Sequence, residues 1–256
     1  MIGCIIQARM DSTRFPGKIL ENLDGKNSVF DFLIRQLQSS EFLDKIIIAS
    51  TTLEHDDIIE KISESHGLDC FRGSENDVLD RYYQCAKKFS VDTIVHVTSD
   101  DPLIDPKILD NGIQIFNSKS FDVLTTNQPH TFPYGLDFEI FTLNALEKIS
   151  KEAKLPSERE HILHFAYANK KDFQIFHYKY KKNMSHIRCS LDYSEDLIFL
   201  RKLVSRIKNR PIQLSDILSA VESEPKLVEI NNKYKPNEGY LKSSIEDEKF
   251  IENNKT

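Results

Sequence analysis

The chain predicts an α/β fold built on a largely parallel sheet with helices on both faces. Short, continuously apolar runs alternate with segments of helical periodicity through the first 116 residues, the β-α-β-α order that such a sheet requires. A hydrophobic content of 39% and an aromatic content of 10% supply a sizeable core. Polar and charged residues collect just after the apolar runs, where sheets of this kind hold their ligands.

Residues 2–6, Ile-Gly-Cys-Ile-Ile, read as the first buried strand, and residues 45–51, carrying Ile46, Ile47 and Ile48, as the second. Residues 68–71 and 93–98 supply the third and fourth. Between them, residues 29–37 place Val29, Phe30, Leu33, Ile34 and Leu37 on one helical face. Residues 56–65 form a helix ended near Gly67, and residues 77–89 another. Asp105 followed by Pro106 gives an N-cap with proline at the first helical position, so a helix runs over 106–116. The second half changes character. Residues 121–126 and 136–141 read as strands joined by a Pro-rich loop, and 173–180 and 187–190 as two more. Helices are expected at 143–151, 157–169 and 194–207, with Ser157 and Glu160, and again Asp192 and Glu195, at capping-box spacing. One domain over residues 1–230, with an insertion at about 127–190 and a polar tail over 231–256, is the expected organisation.

A net charge of −6 argues against a general nucleic-acid binder, though a nucleotide needs only a local patch. Mean hydropathy is −0.43 and no apolar run approaches the roughly 20 residues that span a bilayer. The N-terminal apolar run is too short for a signal peptide. Cys4, Cys70, Cys85 and Cys189 are widely spaced and read as reduced, which points to the cytoplasm.

Against this acidic background, residues 9–18 bring Arg9, Arg14 and Lys18 into one loop with Pro16-Gly17 forcing a turn. Arginine offers paired donors to phosphate oxygens and lysine a point charge, while Gly17 lets the backbone approach. The segment alone does not choose between a phosphate cradle and a solvated surface loop. Asp100 and Asp101 follow the strand at 93–98, and a carboxylate at a strand end is well placed for Mg²⁺. Asp105 reads better as a helix cap. Asp192 is an N-cap or a second metal carboxylate, and sequence spacing does not decide. His161 and His164, three apart, have metal-binding spacing without an evident third ligand. Asp137 and Glu139 share one strand face, where they meet sugar hydroxyls or solvent.

Seven segments then stand in one order: Ile5-Ile-Gln-Ala-Arg-Met-Asp-Ser-Thr-Arg-Phe-Pro-Gly-Lys18, Ala49-Ser50-Thr51, Phe71-Arg-Gly-Ser-Glu-Asn-Asp-Val-Leu-Asp-Arg81, Val97-Thr-Ser-Asp-Asp-Pro-Leu-Ile-Asp-Pro106, Thr131-Phe-Pro-Tyr-Gly-Leu-Asp-Phe-Glu139, Arg159-Glu-His161 and Arg188-Cys-Ser-Leu-Asp192. Together they resemble the cytidylyltransferase family that includes acylneuraminate and 3-deoxy-manno-octulosonate cytidylyltransferases, and within it the branch named for spore-coat polysaccharide biosynthesis. The resemblance implies a nucleotide-diphospho-sugar-transferase-like (Rossmann-like) three-layer sandwich with a mostly parallel mixed sheet. It implies that Arg9, Ser12 and Lys18 contact CTP phosphates, with Gln7, Ala8, Arg14, Gly17 and Ser99 lining the same nucleotide site. Asp100 and Asp192 would hold Mg²⁺, and Arg9, Lys18, Asp100 and Asp192 would carry catalysis. Ser50 and Arg72 would lie near base and ribose. Tyr134, Gly135, Asp137, Glu139, Arg159 and His161 would line the acceptor side. The implied reaction passes CMP from CTP to a nonulosonic (sialic-like) acid and releases pyrophosphate, in a homodimer. A sugar or polyol phosphate acceptor, or a catalytically silent scaffold, are the alternatives. Ser99 stands where the family commonly has glycine, and Asp101 where it has Asn or Glu.

Overall fold

Isoleucine-rich runs form the centre of the sheet. In the computed structural model, which describes residues 1–234 and 238–253, β1 (Ile2–Gln7) lies between β2 (Lys45–Thr51) and β4 (Thr93–Thr98), with β3 (Asp69–Gly73) outside β2. These pairings are all parallel. Beyond β4 the direction switches. β6 (Glu139–Thr142) runs antiparallel to both β4 and β5 (Val123–Thr125), and β7 (Ile175–His177) pairs parallel with β5. The seven-stranded mixed sheet has the order β3-β2-β1-β4-β6-β5-β7.

Alternate strand residues point to opposite faces, and both faces are covered. Cys4, Ile6, Ile48, Val95 and Val97 meet Phe30, Leu33 and Ile34 of α1 (Val29–Leu37), Ile59 of α2 (Asp57–Ser65), and Leu109 and Ile113 of α4 (Pro106–Asn117). Ile5, Ile47, Ala49 and Ile94 meet Val78, Leu79 and Tyr82 of α3 (Val78–Lys88), and Leu146 and Ile149 of α5 (Leu143–Glu152). This two-sided burial is why the central strands read as unbroken apolar runs. The expected cap at Asp105 forms: its carboxylate accepts from the N–H of Lys107 at 2.8 Å and of Leu214 at 2.6 Å.

The second half departs from expectation in several places. The helix expected over 157–169 is two short ones, α6 (Pro156–Glu160) and α7 (His164–Ala168), because His161 is extended at φ −107°, ψ 96°. The Ser157–Glu160 capping box does not form. Glu158 closes the helix instead, accepting from the N–H groups of Lys154 and Leu155 at 2.8 and 2.9 Å. Capping of α8 (Ser194–Arg206) by Asp192 does not occur either, since Asp196 accepts from the N–H of Asp192 and Tyr193 at 2.9 and 3.0 Å. Helices α9 (Leu214–Ser223) and α10 (Glu238–Asn253) form where no helix is expected from the sequence. Residues 235–237 and 254–256 of the polar C-terminal stretch lie outside the described residues. Among the described residues no helix is long and apolar enough to cross a membrane. All four cysteines are free, and Cys4, Cys85 and Cys189 are buried.

The strand expected over 187–190 is reduced to one parallel bridge between Arg188 and Tyr134, flanked by Tyr134 N–H to Ile187 O at 2.9 Å and Cys189 N–H to Tyr134 O at 2.6 Å. Gly135 ends the pairing. Its φ is +94°, and an ideal Cβ there would lie 2.4 Å from Ser190 N and 2.7 Å from the Cys189 carbonyl carbon. Gly135→Ala therefore both strains the backbone and forces two segments apart, and should lower unfolding free energy by about 2 kcal/mol or more in urea titration.

Candidate active site

β1 ends at Gln7 and releases the chain into an irregular loop that turns back at Gly17 (φ +71°) into a 3-10 turn at Lys18–Leu20. Ala8 stays buried, its N–H on Ala49 O at 3.2 Å. The loop is stapled at its base. Met10 O accepts from Ser12 N–H and Gly17 N–H at 3.0 and 3.1 Å, and Met10 N–H donates to Asp56 Oδ1 at 2.7 Å. The other Asp56 oxygen accepts from Thr51 Oγ1, so a fully buried carboxylate joins the loop to the end of β2. Ser12 Oγ accepts from Phe15 N–H at 3.3 Å. In the sequence Asp56 looks like an ordinary helix start.

Lys18 leaves this loop buried and places its Nζ between two carboxylates, 2.8 Å from Asp100 Oδ2 and 2.9 Å from Asp192 Oδ1. Leu191 N–H donates to Asp100 O at 2.8 Å and draws the two acidic segments together. Arg14 donates to the same Asp192 oxygen and lies 5.4 Å from the centroid of the Tyr193 ring. Arg188 Nη2 donates to Asp192 Oδ2 at 2.8 Å and its Nε to Asp196 Oδ1 at 2.9 Å. Asn231 Nδ2 adds a further bond to Asp196 at 2.9 Å. Burial pushes the Asp192 carboxyl up, but Lys18, Arg14 and Arg188 overrule it and hold it below the usual carboxylate range. Burial likewise pushes the Lys18 amine down, and Asp100 and Asp192 more than restore it. Asp101 goes the other way: burial, then the nearby charges of Asp100 and Asp137, raise its carboxyl well above the ordinary range. Arg188 and Asp196 carry no isolated signal in the sequence, although Arg188 opens the segment that ends at Asp192.

Ser99 N–H donates to Gln7 O at 3.1 Å, joining the ends of β4 and β1 beneath the cluster. Beside Asp101 a cavity of about 60 Å³ is lined also by His96, Thr98, Asn127, Asp137 and Glu139, among others. Glu139 accepts from His96 Nδ1 at 2.8 Å, Asn127 Nδ2 at 3.0 Å and the Tyr167 hydroxyl. Burial raises the Glu139 carboxyl, but these bonds outweigh it and the balance is downward. Asp137 accepts from Gly135 N–H at 3.0 Å and pairs with His130 Nδ1 at 3.2 Å. Tyr134 lies against Arg188, whose guanidinium is 5.1 Å from its ring centroid. A larger groove of about 300 Å³, lined by Asp105, Phe132, Tyr178, Tyr180 and Leu214 among others, contains none of the expected site residues.

Three expected residues are spent elsewhere. Arg72 donates to Leu53 O, Asp57 and Glu60 at 2.8 to 2.9 Å and also to Thr51 O. Arg159 binds Asp77 through Nε at 3.0 Å and Ser150 O through Nη1 at 3.0 Å. His161 meets Ser243 of α10 at 3.0 Å, and burial lowers its pKa. With His161 outside both short helices, the metal-binding spacing to His164 on one helix does not exist. Ser50 is fully buried and its Oγ has no hydrogen-bond partner. Among the described residues no three His, Cys, Asp or Glu side chains form a ready metal cage. Arg9 is half-exposed and pairs with Glu160 at 3.3 Å.

A cation-rich strand-end loop facing paired carboxylates suits a nucleoside triphosphate, and the cytidylyltransferase family profile matches residues 3–227. The chain belongs to the cytidylyltransferase family. A cytidylyltransferase structure from Leptospira borgpetersenii superposes with a TM-score of 0.86 at 36% identity, covering 89% of this chain and 96% of that one. The uncharacterized protein MJ1063 of Methanocaldococcus jannaschii is 33% identical over 89% of this chain and 93% of its own length. The spore coat polysaccharide biosynthesis protein SpsF of Bacillus subtilis is 30% identical over 86% and 94%. The fold is accordingly that of the nucleotide-sugar transferases, and the protein is a nucleotidyltransferase.

Two outcomes follow from the geometry. Asp196→Ala leaves the buried Arg188 guanidinium short of its partner and uncaps α8, and should cost about 3 kcal/mol or more in denaturant unfolding. Glu139, whose carboxyl is held down in the folded protein, contributes stability that is present above the ordinary glutamate range and is lost as pH falls through the folded value. Urea unfolding of Glu139→Gln between about pH 7 and about pH 3 should therefore show a shallower acid decline than the parent protein.

Proposed function

We propose that the protein transfers CMP from CTP to a hydroxyl of an acidic sugar, with Mg²⁺ and with release of pyrophosphate, for surface-polysaccharide assembly. The observation that carries this reading is the single ammonium of Lys18 held between Asp100 and Asp192. Two oxygen-donor carboxylates converging on one cation suit Mg²⁺, which takes one or two carboxylates and fills its remaining positions with phosphate oxygens and water. Bound there, Mg²⁺ would neutralise phosphate charge and polarise the α-phosphoryl group.

The acceptor hydroxyl oxygen attacks the α-phosphorus in line, its proton passing to water, and the bond to the bridging oxygen of pyrophosphate breaks with its electron pair leaving on pyrophosphate. Arg9, Arg14 and Lys18 offset that departing charge, so most of the work is positioning and electrostatics. Arg188 keeps hold of the second oxygen of Asp192 and so maintains its position when Arg14 or Lys18 turns to phosphate. Asp137, Glu139 and Tyr134 face the acceptor in this reading. The carboxylate of a nonulosonic acid needs a cation, and Arg159 reaches it only by opening its pair with Asp77. A homodimer is part of the reading on family grounds, and the four free cysteines support a cytoplasmic site of action.

Asp100→Asn should lower Mg²⁺-dependent pyrophosphate release from CTP by about 100-fold or more while leaving the circular dichroism spectrum unchanged. The assay pairs CTP with a panel of nonulosonic acids and sugar phosphates. Unchanged turnover removes Asp100 from its role, and tight CTP binding without release against every acceptor favours a silent nucleotide-binding protein.

A further inference from the structure

Arg81 lies one turn inside α3 and is fully buried. Its Nη1 donates to Ser74 O, and its stem packs on Gly73, where an ideal Cβ would lie 3.0 Å from Arg81 Cγ. Nε and Nη2 have no hydrogen-bond partner. Those two groups lie along one edge of the guanidinium plane and together make a fork that gives two parallel hydrogen bonds. A buried charged fork without acceptors is a costly arrangement. The acidic groups within electrostatic reach are Asp56 and Glu160, alongside Arg9. Asp56 is committed to Met10 and Thr51, and Glu160 to Arg9.

The position of this fork gives it a ligand, on the reading that CTP is the nucleotide. The triphosphate belongs at Lys18, Asp100 and Asp192, over the ends of β1 and β4. In the sheet order, β2 and β3 follow on the far side of β1, each about 4.8 Å from its neighbour. A nucleotide extending that way brings its base toward the end of β3, where the chain passes through Ser74 into α3. Arg72, expected at the base, is consumed by four partners. We propose that Arg81 reads the base, its Nε–H and Nη2–H donating to N3 and O2 of cytosine. Both of those atoms are acceptors in cytosine, whereas N3 of uracil carries a hydrogen and would set donor against donor. A site built around a buried donor pair rejects the partner that leaves it unpaired. Drawn to the phosphates, Arg9 would release Glu160, which lies within electrostatic reach of Arg81.

Isothermal titration with CTP and with UTP, both in Mg²⁺ buffer, tests the assignment. The parent protein should favour CTP by about tenfold or more, and folded Arg81→Lys, which keeps the charge but lacks the fork, should lose most of that preference through weaker CTP binding. A folded variant with an unaltered ratio, or with both nucleotides weakened equally, overturns the proposal. A second measurement needs no variant: the Arg81 Nε–H resonance of the ¹⁵N-labelled parent protein should move on adding cytidine monophosphate and not uridine monophosphate. An equal response to both, or none, overturns it. A parent protein that binds neither triphosphate sinks the CTP reading and Arg81 with it, whereas CTP selectivity that survives in Arg81→Lys removes Arg81 alone.

Discussion

One ammonium ties three distant stretches of chain into a site. Lys18 is 82 positions from Asp100 and 174 from Asp192, and its Nζ is within hydrogen-bonding distance of both. Desolvating these charges is expensive, and a packed apolar cluster of the same volume would serve stability as well or better. Under the proposed function the arrangement makes physical sense as a reaction centre, with stability supplied around it. Arg188, Asp196 and Asn231 hold Asp192 from below, Leu191 N–H holds Asp100, and Asp56 holds the loop that delivers Lys18.

The charge balance follows from the same cluster. The chain is net −6, yet its strand-end loop is cationic. That loop spends its cations internally: Arg9 on Glu160, Arg14 and Lys18 on Asp192. Under the proposed function, phosphate oxygens would compete with carboxylates already in place. Such an exchange would cost less for Arg9, which is half-exposed, than for Lys18, which is buried.

Much of the first half was legible because local and tertiary signals agree there. Ile46, Ile47 and Ile48 must be inside whichever face they take, and Asp105 before Pro106 caps a helix without outside help. The second half was less legible because long-range contacts decide it. Ser157 has the right neighbours for a cap, but the helix already begins at Pro156, Glu158 accepts from the N–H groups before it, and the Ser157 N–H donates to Asp247. Asp192 was readable as a cap until Asp196 took that duty and left both its oxygens to cations. Arg72 and Arg159 show the general limit: a sequence displays an arginine's charge but not the Asp57, Glu60 or Asp77 that will use it. Conversely, nothing in the sequence sets Arg81 apart from its neighbours; only the burial of its Nε and Nη2 without partners does.

The aromatic pair beside the loop has an optical consequence. The chain contains no tryptophan, so its ultraviolet emission comes from its nine tyrosines. Tyr193 stacks on Tyr234 with ring centroids 3.8 Å apart and planes within 5°, and Arg14 lies against Tyr193. Under the proposed function, movement of Arg14 from Asp192 toward a phosphate would change the charge next to a stacked chromophore. Such a movement would then be read from the protein's own tyrosine emission, without any attached dye.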